Sequence, residues 1–113
     1  MNIQIFGTAK SFDSKKAERY FKERRIKYQY IDMREKGLSK GELTSVCQAV
    51  GGLDALLDPK AKDQQTLALV RYLGADQKLE KVLEHQDILA TPIVRNGRKA
   101  TVGYQPDTWA GWE

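Results

Sequence analysis

The sequence predicts an α/β domain on a four-stranded mixed sheet, and three observations carry that expectation. A strand-like run at the N-terminus and a second at Ile26–Ile31 flank a helical segment. A helix between two strands implies a right-handed crossover and hence a parallel βαβ unit. From about residue 38 to 87 only helical patterns occur, an all-helical insert. Asn96-Gly97 then separates two more strand-like runs, the strongest short hairpin signal, because both turn residues must accept positive φ.

Met1-Asn2-Ile3-Gln4-Ile5-Phe6 is short and mostly apolar, the first strand. The loop Gly7 to Lys16 leads into a helix over Phe12–Arg25, in which Phe12, Ala17, Tyr20 and Phe21 are available to face a core. Such a turn faces the unpaired N–H groups and the positive dipole end of the helix, so chemistry is expected there. Ile26 to Ile31 alternates bulky and polar residues and is rich in strand formers. The polar run Asp32–Gly37 reads as a loop.

The insert opens with a Ser39-x-x-Glu42 capping box. Leu43, Val46, Cys47 and Val50 form one apolar stripe up to Gly51-Gly52, which places Cys47 on the buried face. Leu53–Leu57 is an apolar turn closed by Asp58-Pro59. Two helices follow, Asp63–Tyr72 with Leu67, Val70 and Leu73 inward, and Asp76–His85 with Leu79, Val82 and Leu83 inward. Thr91–Arg95 and Arg98–Val102 are the hairpin strands. Gln105-Pro106-Asp107 starts a last helix with proline at its first position, burying Trp109 or Trp112.

A chain of 113 residues is long enough for one substantial core and short for two, so one domain over residues 1–113 is expected. No apolar run approaches the ~20 residues that span a bilayer, which argues against a membrane protein. The N-terminus enters a strand directly, without the pattern of a secretory signal, so a cytoplasmic location is expected. Nineteen basic and fifteen acidic residues give +4, a balance read as solubility, with no direct nucleic-acid contact expected. One cysteine and one histidine, Cys47 and His85, make an internal disulfide impossible and a metal site unexpected.

The order βαβ, helical insert, proline-led hairpin and helix is that of the thioredoxin fold. Ile5-Phe6-Gly7-Thr8-Ala9-Lys10-Ser11-Phe12-Asp13-Ser14-Lys15-Lys16-Ala17, together with Ala90-Thr91-Pro92-Ile93-Val94-Arg95-Asn96-Gly97 and Val102-Gly103-Tyr104, resembles the arsenate-reductase-like (ArsC) family, which includes the Spx regulators. The resemblance covers essentially the whole chain. It implies that the family's nucleophilic cysteine falls on Ser11 and the second cysteine of the Spx type on Ser14. The arginines that hold the arsenate oxyanion would fall near Asp58, at Thr91 and at Tyr104. None of these residues is cysteine or arginine, and an acid, a hydroxyl and a phenol are poor substitutes for planar, paired guanidinium bonds. The Val102-Gly103-Tyr104 ending is similar to the Spx branch, whose members bind the C-terminal domain of the RNA polymerase α subunit.

The resemblance therefore implies a monomeric, redox-inactive protein that acts by binding another protein, with Gly51-Gly52 at the polymerase contact and no resident cofactor. The alternative is a glutathione- or thiol-dependent reductase or transferase in which Ser11 donates a hydrogen bond to the cofactor sulfur. Candidates for ligand contact are Thr8, Lys10, Ser11, Ser14, Lys15, Thr91, Pro92 and Tyr104. Each also has an ordinary explanation. Ser11 suits a helix N-cap, and the only histidine, at a distant helix end, is expected to face solvent rather than serve as its base. Ser14 and Asp13 are polar first-turn residues. Lys10, Lys15 and Lys16 could attract an anion or simply form a solvated face. The family resemblance implies a cis bond at Thr91-Pro92, whereas an ordinary strand-start proline would be trans.

Overall fold

The computed structural model describes residues 1–113. Its elements are β1 (Ile3–Gly7), α1 (Phe12–Glu23), β2 (Tyr28–Asp32), α2 (Lys40–Val50), a 3₁₀ turn (Leu53–Leu56), α3 (Gln64–Tyr72), α4 (Ala75–Glu84), a second 3₁₀ turn (Gln86–Ile88), β3 (Ile93–Asn96), β4 (Lys99–Val102) and α5 (Pro106–Ala110). The sheet order is β2-β1-β3-β4. β1 runs parallel to β2 and antiparallel to β3, and β3 antiparallel to β4. The sheet is therefore mixed.

Side chains alternate across a strand, so β1 serves two cores. Ile3 and Ile5 join Val94, the α1 residues Ala17, Tyr20 and Phe21, and Trp109 of α5 in one cluster. Phe6, Ile31 and Ile93 emerge on the other face and pack under the helical insert, against Leu43, Val46, Leu67, Val70 and Val82. Trp109 is completely buried, and its indole Nε1 donates to Thr101 Oγ1 at 2.8 Å. Trp112 packs only at the edge of that cluster.

The insert is tied at both ends. Gln86 Oε1 accepts from the Leu38 amide and its Nε2 donates to the Leu38 carbonyl, both at 2.8 Å. One side chain thus fills both hydrogen-bonding positions of a backbone segment 48 residues away. The capping box is formed: Glu42 N donates to Ser39 Oγ at 3.1 Å and Ser39 N to Glu42 Oε1 at 2.8 Å.

Four expectations are corrected. Phe12 does not face a core and is 80% exposed. At about 100° per residue it lies on the side of α1 opposite Ala17 and Phe21. The first helix ends at Glu23 because Arg25 adopts φ +56. The amide of Ile26 returns to Phe21 O at 3.0 Å, closing the helix, so β2 starts at Tyr28 rather than Ile26. The hairpin turn is shifted by one residue: Asn96 pairs with Lys99, which leaves Gly97-Arg98 as the loop. Of these only Gly97 has positive φ, +61, so a glycine-first turn replaces the Asn-Gly type. Finally, Cys47 is half-buried rather than sealed in the core. It packs against the core cluster but opens on a side cleft next to Gly51-Gly52, which have no side chains to cover it.

Candidate functional site

The turn between β1 and α1 is held by an interlock of backbone and hydroxyls. Ser11 N donates to Thr8 O at 3.1 Å, Ser14 N to Ser11 Oγ at 3.1 Å, and Thr8 N to Ser14 Oγ at 3.3 Å. Ser11 is therefore the N-cap of α1. Ser14 is wholly buried, with its oxygen turned back to the loop and against Gly7. Helical spacing carried the signal for this, since Ser14 lies three residues before Ala17 and seven before Phe21, but its polarity and first-turn position read as exposure.

Above this turn lies an open cleft of about 1080 Å³. Thr8, Lys10 and Ser11 form one wall and Thr91 another, preceded by the segment in which Leu57 pairs with Leu89. The Thr91-Pro92 bond is cis. Pro92 is buried, and its carbonyl accepts from the Gly103 amide at 2.8 Å. The cleft thus brings together Thr8, Lys10, Ser11 and Thr91. It does not include Ser14, which lies buried, or Lys15, which projects outward with its Nζ 6.0 Å from the exposed Phe12 ring. Tyr104 also lies outside the lining. Its ring stands edge-on to Trp109 at 5.5 Å and beneath Lys16 Nζ at 5.6 Å.

The lining includes Lys10, Arg34, Lys60 and Lys62, and against them Asp13, Asp58, Glu84 and Asp87. Four cations facing four carboxylates give no surplus of positive charge for an oxyanion. Arg34 is further engaged by Asp32, Nε to Oδ1 at 3.6 Å. His85 faces this cleft as well, which the sequence did not foresee: the second 3₁₀ turn folds the end of α4 back over the site. It makes no hydrogen bond to Ser11, so the nucleophile-base pair that an activated serine needs is not formed.

Gly51 and Gly52 lie in a separate cleft of about 510 Å³ between α2, the first 3₁₀ turn and α4. Both have positive φ, +91 and +135, and an added Cβ on either would meet nothing within 4 Å. Cys47 borders the same cleft, and burial raises its thiol pKa. Lys78 and Asp54 bridge the cleft at 2.9 Å.

A βαβ unit and a β-hairpin on one mixed sheet around a helical insert define a thioredoxin-like protein. More narrowly, the chain matches the ArsC family over residues 6–112 and belongs to it. It is 28% identical over 109 residues to the global transcriptional regulator Spx 2 of Oceanobacillus iheyensis, covering 95% of this chain and 80% of that protein. The fold is shared with an arsenate reductase from Vibrio cholerae, TM-score 0.84 and 24% identity over 98% of this chain and 97% of that one. It is shared also with an ArsC-family related protein from Bacteroides fragilis, TM-score 0.86 and 14% identity over 100% and 98% of the two chains. No helix is long and apolar enough to cross a membrane.

Proposed function

We propose that this ArsC-family chain acts by binding a protein partner, without redox chemistry of its own, as a cytoplasmic monomer in a Spx-like role in transcription. The observation that carries this reading is the interlock of Thr8, Ser11 and Ser14: the hydroxyls at the two positions where the family resemblance places cysteines are used to build the helix start. The relative named as a transcriptional regulator supports the same direction. The partner proposed is the C-terminal domain of the RNA polymerase α subunit, met by the face around Gly51-Gly52. Calorimetry of the purified chain against that domain from the same organism tests it. Binding that is lost in Gly52→Arg is expected, since a long side chain would project from a position now open to solvent. No heat at tens of micromolar would overturn the partner assignment.

Glutathione or another thiol cofactor is the second reading, and one feature favours it. Ser11 Oγ accepts one bond from Ser14 N, and its own proton has no acceptor in the protein. Amide shifts confined to Thr8–Ser14 and Thr91 on titration with reduced glutathione would support that reading over the first.

A further inference from the structure

The modest net charge conceals a concentrated one. Eight of the nineteen basic residues lie between Lys10 and Lys27, against three of the fifteen acidic ones, and the rest of the chain is slightly acidic. Two of those three acids are already engaged. Glu18 accepts from Tyr28 OH at 2.9 Å, and Asp13 lies 4.0 Å from Lys16.

Helical spacing then sorts the remainder. Phe12, Lys15, Lys16, Arg19 and Lys22 recur every three or four residues and share the face of α1 turned away from the core, about one turn or ~5.4 Å apart, with Glu23 at its last position as the one carboxylate among four cations. All five are exposed. Two aromatic rings flank the adjacent lysines: Phe12, 80% exposed, beside Lys15, and Tyr104, 39% exposed, beneath Lys16. The second ring is fixed in place by its edge contact with the buried Trp109.

We propose that this outer face of α1, with Tyr104, is a docking surface for single-stranded nucleic acid, the cations following its phosphates and Phe12 and Tyr104 stacking on its bases. Charge selects a polyanion, and the rings select among polyanions. A strand that alternates anions with flat rings matches cations interleaved with exposed aromatics, whereas an acidic peptide offers carboxylates and no regular partner for the rings. The surface reads phosphate and base and has no group placed for the sugar, so DNA and RNA strands should bind alike. This inference is independent of the partner proposed above, which meets the opposite side of the sheet.

Fluorescence anisotropy of the full chain with a labelled oligothymidylate of about 20 nucleotides tests it, at about 50 and 200 mM salt. Binding is expected, with a log–log salt slope of roughly −2 to −3, three or four phosphates at about −0.7 each. Lys15→Glu, Arg19→Glu and Lys22→Glu combined should weaken it more than about tenfold and flatten the slope, with an unchanged circular dichroism spectrum. Phe12→Ala should lose roughly fivefold or more at an unchanged slope. An oligouridylate should bind equally and a duplex more weakly. Failure to bind at the lower salt, affinity that survives the charge reversals or Phe12→Ala, equal binding of duplex, or binding of an oligoglutamate peptide in place of the oligonucleotide would each overturn the proposal.

Discussion

Gly7 sits where β1 delivers the chain to the candidate site, and the space beside it is taken. A Cβ there would lie 2.6 Å from Ser14 Oγ, 2.8 Å from Ser14 Cβ and 3.1 Å from Tyr30 OH. Ser14 cannot move aside, because it is buried on a helix and bonded to Thr8. Gly7→Ala should therefore destabilise the chain by about 1–3 kcal/mol, the usual cost of overpacking, visible as a lower midpoint in urea. Ser11 offers a test of a different kind. Because the Ser14 amide already points at its oxygen, Ser11→Cys would place a sulfur against that donor at the positive end of α1. In a Cys47→Ala background, thiolate absorbance should titrate below the ~8.5 of a free cysteine. A midpoint at or above that value would show that the turn does not favour an anion.

Two helix ends carry the predictions at the next scale. α1 closes on Arg25 in the left-handed region, with the amides of Arg25 and Ile26 returning to Lys22 and Phe21. Glycine is the residue that such a closure ordinarily takes. Arg25→Gly should stabilise by about 1 kcal/mol, the steric cost that it removes, as a raised thermal midpoint. α5 is only five residues long and depends on one side chain. Trp109→Ala should cost about 3–5 kcal/mol. It should also raise amide exchange from Asp107 to Ala110, whereas Trp109→Phe, which keeps a ring but loses the bond to Thr101, should cost less. The elements themselves were legible in the sequence: the capping box at Ser39, the stripes of the insert, the proline start of α5 and the burial of one of its two tryptophans, which the structure resolves as Trp109. What escaped were features that depend on how elements meet. Phe12 looked like a core residue because it is apolar, but its angular position excludes it. Asn96-Gly97 is a strong turn signal, yet the pairing of Ile3 with Asn96 keeps Asn96 in the strand and passes the turn to Gly97-Arg98. Thr8, Lys10, Ser11 and Thr91 could be placed together from family resemblance, but His85 at the cleft depended on the path of the insert, which no local pattern describes.

The molecule as a whole is a sheet with one core on each face, and the α1 side holds three tyrosines with elevated pKa values. Burial raises Tyr20 and Tyr30, and burial together with the bond to Glu18 pushes Tyr28 to about 12. In the unfolded chain these phenols ionise near 10, so above that pH the native state retains more protons than the unfolded one. Stability is then constant below about pH 10 in this respect and falls as pH rises toward 12. Thermal melts should show that decline, and Tyr28→Phe should reduce it; a melt independent of pH across this window would contradict it. The clasp of Gln86 on Leu38 has a mechanical meaning on the same scale. Its two bonds close a loop whose ends are 48 residues apart in sequence. A chain pulled from its termini loads the β1–β3 pairing first and then that clasp, before the helices of the insert. Once the clasp and the adjoining sheet yield, about 170 Å of contour becomes available at ~3.5 Å per residue. The insert is thus hidden length, released as a single step in a force trace, and Gln86→Ala should bring that step to lower force.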